Sequence, residues 1–450
     1  MSFVFLWGLK TLGYCAKIIK NIQSKEHKPE IRKNETMKAK NVFIMFIFSA
    51  VMGGVIGAII WIFLRVMNLG IDVLWHQIPG AMGEGTLNMI YPLLLCAAGG
   101  VIVGLMQKKY GPCPEELEYV IGTFKATGTY DYSHVPRMLL AALLPLLFGG
   151  ALGPEAGLTG VIVGLCCWVG DNLKFARKTL PELADVGIAA TLSVLFGSPL
   201  FGFVMPVEED IYSNKEMKLP KGVKIFATFC AIFGGLAVCM LLGRFFGPGA
   251  GLPRFESTSI DRYDILLMFP VVLIGVLYGW LFKVSEKVIE KIVGPFKEKR
   301  FIIAVAGGAV LGAVGIFFPI AMFSGEKEME ILIEEYALYS GAMLFAIAGV
   351  KMILINICLC TGWRGGHFFP AIFAGVAAGF ACAAVMPIDP VFSCAVACAA
   401  VMTTVMRKPF AVAMLLMLCF PVDCLLYLIG AAFLAAVIPD FFGGKKHESA

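Results

Sequence analysis

Charge is scarce in this chain: only 15% of its 450 residues are Asp, Glu, Lys or Arg. A soluble globular chain carries about a quarter. With 59% hydrophobic residues, the chain cannot cover its own surface in water. Its mean hydropathy of +0.83 says the same. The missing solvent is lipid. Backbone that crosses lipid must satisfy its polar groups internally, which leaves helices or a closed barrel. Barrel strands alternate apolar with polar residues. Here the apolar runs are continuous, which excludes the barrel. Histidine is scarcer still, five in all. No Ser–His–Asp arrangement, Walker loop or metal-ligand cluster stands out, so no enzyme, cofactor or metal centre is expected. Most of the 14 cysteines lie inside apolar runs, where a free thiol acts as a small hydrophobe. Cys358-x-Cys360 lacks the second pair that a zinc site needs.

The net charge of +5 sits mostly at the N-terminus. Residues 1–41 hold nine Lys or Arg against three Glu. Such a cluster can attract nucleic acid. Beside a long apolar run it marks the cytoplasmic side of a bilayer instead, and no nucleic-acid partner is expected. Lys445 and Lys446 place the C-terminus on the same side. Residues 1–21 mix Phe, Leu and Trp with lysines and lack a cleavage site, which suits a helix lying in the membrane interface rather than a secretory signal.

Apolar spans are expected over Asn41–Met67 and near 88–106, 138–150, 157–170, 186–206, 223–243, 264–283, 301–323, 340–360, 367–386, 389–406, 409–421 and 423–438. Crossing the hydrocarbon takes about 20 residues, so several are too short. Many are interrupted, at Gly149-Gly150, Gly153-Pro154, Pro199, Pro206, Gly365-Gly366, Pro370 and Pro409. Broken helices in a bilayer persist where they are buried or line a cavity, and in transporters they mark the substrate site. The breaks also repeat: Gly150-Ala-Leu-Gly153-Pro154 precedes Pro199, and Gly366-His-Phe-Phe-Pro370 precedes Pro409. This is the pattern of paired repeats. The expected organisation is a basic cytoplasmic segment (1–41), a first transmembrane half (42–247), a loop (248–262), a second half (263–440) and a cytoplasmic tail (441–450).

These breaks suit an anion. A half-helix that starts inside the bilayer turns free N–H groups and the positive end of its dipole toward the cavity. Gly lets backbone approach an ion closely, and Pro fits the first helical turn. Glu155, beside the first break, is an ionisable residue at membrane depth and is functional by default. Its alternative role is to stabilise a helix N-terminus.

The same residues resemble the CLC family of chloride channels and proton/chloride antiporters. Gly366-His367-Phe368-Phe369-Pro370 fits that family's G-x-F-x-P signature. Gly150-Ala151-Leu152-Gly153-Pro154 is similar to its G-K/R-E-G-P segment. Ser198-Pro199-Leu200-Phe201-Gly202 with Glu208-Glu209, Arg407-Lys408-Pro409-Phe410 and Pro114-Glu115 resemble three more of its motifs, in order, over roughly residues 42–440.

The resemblance implies an all-α polytopic membrane protein of two inverted repeats of tilted, broken helices. It implies a homodimer in the cell membrane that transports chloride or a similar small anion. It also implies that Gly366, His367, Phe368, Phe369 and Pro370 form the central anion site and that Gly153, Pro154, Glu155 and Ala156 form an outer one. Glu209 matches an intracellular-side glutamate that passes protons in the antiporters. Leu152 stands where the family's gating glutamate is expected, and Glu155 is the candidate to replace it. The chain reads Gly111-Pro112-Cys113-Pro114 where a selectivity serine is expected. These departures favour a channel-like or weakly proton-coupled pathway. A proton-coupled antiporter, a fluoride exporter and a non-conducting scaffold or sensor remain the alternatives.

Overall fold

Apolar runs become helices, and the Gly–Pro breaks become their ends. The structure, a computed structural model, describes residues 39–83, 85–111, 113–114, 123, 131–172, 180–210, 221–247, 249, 251–256 and 258–442. The expected interfacial helix, Glu115, the Glu209 side chain and Lys445–Lys446 lie outside what is described. The chain divides into Met1–Phe43 and Ile44–Ala450. Of the first unit only residues 39–43, the opening of α1, are described; the contacts below belong to the second.

The helices are α1 (Ala39–Asp72), α2 (Ile78–Met82), α3 (Thr86–Tyr110), α4 (Val135–Leu147), α5 (Glu155–Asn172), α6 (Leu180–Leu195), α7 (Pro199–Asp210), α8 (Lys221–Phe246), α9 (Arg262–Val293), α10 (Arg300–Phe317), α11 (Glu326–Glu335), α12 (Gly341–Cys360), α13 (Phe368–Val385), α14 (Pro390–Met406), α15 (Pro409–Leu416) and α16 (Leu425–Val437). Among the described residues seven stretches are long and apolar enough to cross a membrane. Others, such as α4, α14 and α16, are apolar but short. The chain is an integral membrane protein.

The two halves run in parallel order. The series α3, α4, α5, α6, α7, α8 has its counterpart in α10, α12, α13, α14, α15, α16. Counterparts also meet: α3 packs along α10, and α7 packs against α15. This is the arrangement of two inverted repeats.

Local chemistry sets the ends. Gly197 takes φ +63 between α6 and α7, a left-handed conformation that glycine adopts without a Cβ penalty. Pro199 then opens α7, Pro390 opens α14 and Pro409 opens α15, each at a first turn where its missing N–H is no loss. Asp389 accepts the Phe392 N–H at 2.8 Å and caps α14. Glycines set the close approach of α1 and α8. A Cβ at Gly53 or Gly57 of α1 would lie closer than 3 Å to the carbonyl oxygen of Ala231 or Gly235 on α8.

The run 186–206 is two helices, parted at Phe196-Gly197-Ser198 directly before the break expected at Pro199. The structure differs from the sequence expectations in three places. Pro206 is no break, since α7 continues through it. The span expected over 301–323 ends at Phe317, and a 3-10 turn at Pro319–Ala321 leads into α11. α11 was missed altogether, because Glu326-Lys-Glu-Met-Glu-Ile-Leu-Ile-Glu-Glu335 reads as polar loop.

Candidate anion site

Two loops, one from each half, meet at the centre. The Gly153 N–H donates to the Gly366 carbonyl at 2.8 Å, and the Gly366 N–H donates back to Gly153 at 2.7 Å. The reciprocal pair forms an isolated antiparallel bridge. It brings the starts of α5 and α13 together, so Leu152, Gly153, Pro154, Glu155, Gly366 and Phe368 share one place. The bridge also uses the Gly153 amide, which leaves that N–H out of any anion cradle.

Glu155 is the first residue of α5, yet its carboxylate serves the other half. The Phe368 N–H, at the start of α13, donates to Glu155 Oε1 at 2.7 Å. The Phe369 N–H and Glu155's own amide also face the carboxylate. The side chain is only 2% exposed, and its Oε2 has no hydrogen-bond partner. Two glycines make room for it. A Cβ on Gly153 or Gly366 would fall closer than 3 Å to the carboxylate atoms. A carboxylate thus occupies the amide cradle that the sequence assigned to an anion.

Magnitudes suit a movable group. An ionised side chain at bilayer depth costs about 2.5–3.5 kcal/mol or more. A hydrogen bond to a charged group returns about 1.5–3 kcal/mol, and a helix N-terminus adds about 0.3–1 kcal/mol, more when buried. The two sides are close in size, so the seat holds the ion without a wide margin.

The walls are aromatic. Phe196 stacks on Phe369 with ring centroids 4.4 Å apart and lies 6.0 Å from Phe368. Phe201 meets Phe196 edge-on at 5.2 Å. Sequence reasoning quoted Phe201 as part of a motif but missed Phe196. The signal was present, since Phe196 stands directly before the Gly197 break. Leu152 is fully buried against Gly365, where a Cβ would come within 2.8 Å of it. The His367 ring packs between Phe282 and Phe368, at 5.6 and 4.8 Å. Pro370 is buried in the first turn of α13.

Glu209 lies near the end of the helix Pro199–Asp210, α7. Its neighbour Glu208 reads from sequence as a solvated helix end. Instead it is buried, and its Oε2 accepts the Ala411 N–H at 2.8 Å, which satisfies a free amide at the start of α15. Among the described residues, no group of three or more His, Cys, Asp or Glu is placed to hold a metal.

The fold and the site define a class: an integral membrane protein whose broken helices present backbone amides to a buried carboxylate. The comparisons give the family. The profile described as "Voltage gated chloride channel" matches residues 99–440, and the chain belongs to that family, which comprises anion channels and transporters rather than enzymes. Curated proteins assigned to ion transport by name, YfeO of Shigella flexneri and of Escherichia coli O1:K1 / APEC, are each 26% identical over 76% of this chain and 79% of their own. A CLC-type fluoride/proton antiporter superposes with a TM-score of 0.72 at 17% identity, over 90% of this chain and 97% of that one. A slow cyanobacterial Cl-/H+ antiporter gives 0.69 at 16% identity, over 89% and 95%. At such identities the two structures establish the fold alone.

Proposed function

We propose that this protein exchanges a small anion, chloride or fluoride, for protons, with Glu155 as the gate. The observation that carries the reading is the Glu155 carboxylate seated on the Phe368 amide. An ionised Glu155 competes with the anion for that seat. A protonated Glu155 no longer has the charge that holds it, and the amide then favours the anion. The side chain leaves with its proton as the anion arrives, which links the two movements. Leu152 at the family's usual gate position does not argue against this, because Glu155 reaches the same kind of seat from the next turn. Both structural neighbours are described as proton-coupled antiporters, which supports the coupling. The reading includes a homodimer in the cell membrane, a separate pathway in each subunit and cytoplasmic termini.

The test is flux in liposomes with anion and pH recorded together. The native protein is expected to drive proton uptake down an imposed anion gradient, with anion flux rising as pH falls. Glu155→Gln, a permanent mimic of the protonated gate, is expected to flatten the pH profile and stop proton movement. Anion efflux without proton movement in the native protein would instead make it a channel. Folded protein that moves neither would be a scaffold or sensor.

A further inference from the structure

Behind the anion seat lies a second buried carboxylate that the gating cycle leaves unused. Glu326 opens α11 and is 7% exposed. Its Oε1 has no hydrogen-bond partner, and neither does Glu155 Oε2. Among the described residues these are the two glutamates with such an oxygen. Leaving a buried acceptor unmatched costs about 1–3 kcal/mol, more for a charged group, so each such group calls for a reason.

Geometry ties the two together. Gly325, at φ +100, turns the chain into α11. A Cβ there would come within 2.7 Å of Phe373 Cβ. The start of α11 is therefore pressed onto α13, the helix whose first amide holds Glu155. Phe373 lies about one and a half turns along α13 from Phe368. Among the described residues, Glu155 is the one charged group outside α11 whose field reaches Glu326. From Glu326 the way leads outward: Glu330 is four residues on, on the same face of α11, and is exposed.

The remaining charges around Glu326 are Lys327 and Glu328 of its own helix. α13, packed on α11, brings no charged side chain. Lys351 of α12 is fully buried. Its ammonium donates to the carbonyls of Met322 and Phe323 at 2.7 and 2.8 Å and lies 4.8 Å from the centre of the Phe373 ring. Its field falls on Glu328 rather than on Glu326.

We propose that Glu326 accepts the proton from Glu155 and hands it to Glu330 at the surface. In the first step the Glu155 carboxyl O–H breaks and an O–H forms on the Glu326 carboxylate. Glu155, now ionised, returns to the Phe368 amide. In the second step Glu326 gives the proton to the Glu330 carboxylate and is itself ionised again. Each step runs backward equally well, so either direction of transport can use it. The inference rests on Glu155 as gate and adds a route to solvent that does not involve Glu209.

Simultaneous chloride and proton flux in liposomes tests it, with the native protein, Glu155→Gln and Glu326→Gln. Glu326→Gln is expected to keep chloride flux and its fall with rising pH, while proton flux drops roughly tenfold or more. Three results overturn the proposal, and they are distinguishable. Proton flux at the native ratio in Glu326→Gln removes Glu326 from the route while leaving the gate intact. Loss of chloride flux together with proton flux makes Glu326 a structural residue. A native protein that moves no protons overturns the gate reading itself.

Discussion

Gly366→Ala is expected to destabilise the protein, and Glu155→Ala is expected to restore it. The Glu155 carboxylate sits between two glycines, and a methyl group on Gly366 would overlap its Cδ and Oε1. The seat is fixed on both sides. The Gly366 backbone is pinned to Gly153 by two hydrogen bonds, so the loop cannot retreat, and the carboxylate must be driven off the Phe368 amide. Overpacking of this kind costs about 1–3 kcal/mol, with the loss of a hydrogen bond to a charged group adding about 1.5–3 kcal/mol. Shortening the partner removes the overlap, so the double variant should recover most of the loss. A thermal-unfolding double-mutant cycle on the detergent-purified protein reads this coupling directly. In liposomes the single variant should also lose proton movement. An unchanged melting temperature for Gly366→Ala would mean that the carboxylate does not occupy the space between the loops.

The second large effect is expected at the α1–α8 contact. Gly53 and Gly57, one turn apart, face the carbonyls of Ala231 and Gly235, and from the other side a Cβ on Gly234 would strike the Ala50 carbonyl. Small residues at such a spacing let helix backbones approach in lipid, where apolar side chains gain nothing from leaving the bilayer. The obstacles are backbone atoms, which cannot rotate aside as a side chain can. Gly53→Leu must therefore move α1 away from α8 as a rigid body, and α8 carries Val194 of α6 against Gly235. Unfolding free energies are only about 5–15 kcal/mol, so the outcome expected on size-exclusion chromatography is loss of the monodisperse species. Gly80→Leu, where a Cβ would meet nothing within 4 Å, is the matched control and should elute as the native protein does.

Much of this architecture was legible in the sequence because lipid imposes simple rules. Long apolar runs such as Gly341–Cys360 became helices with ends close to those expected. The Gly–Pro breaks at 153–154 and 365–370 became the meeting point of the two halves. Hydropathy failed where a helix is polar. α11 has five glutamates and a lysine in ten residues, and its buried face is visible only once Met329 and Leu332 are seen in the core. Proline failed as a helix breaker at Pro206, where the fold tolerates one missing N–H. The partners of Glu155 and Glu208 were beyond reach for another reason. Each carboxylate bonds an amide more than 200 positions away in the chain, and no local periodicity encodes such a pairing.

The bridge between Gly153 and Gly366 has a consequence for how such a chain can change over time. Its two hydrogen bonds run from peptide to peptide, and so does the grip of Phe368 on its occupant. Side chains can drift without dismantling the frame, provided that the two glycines stay small. A fold shared at a sixth of the sequence is what that freedom permits.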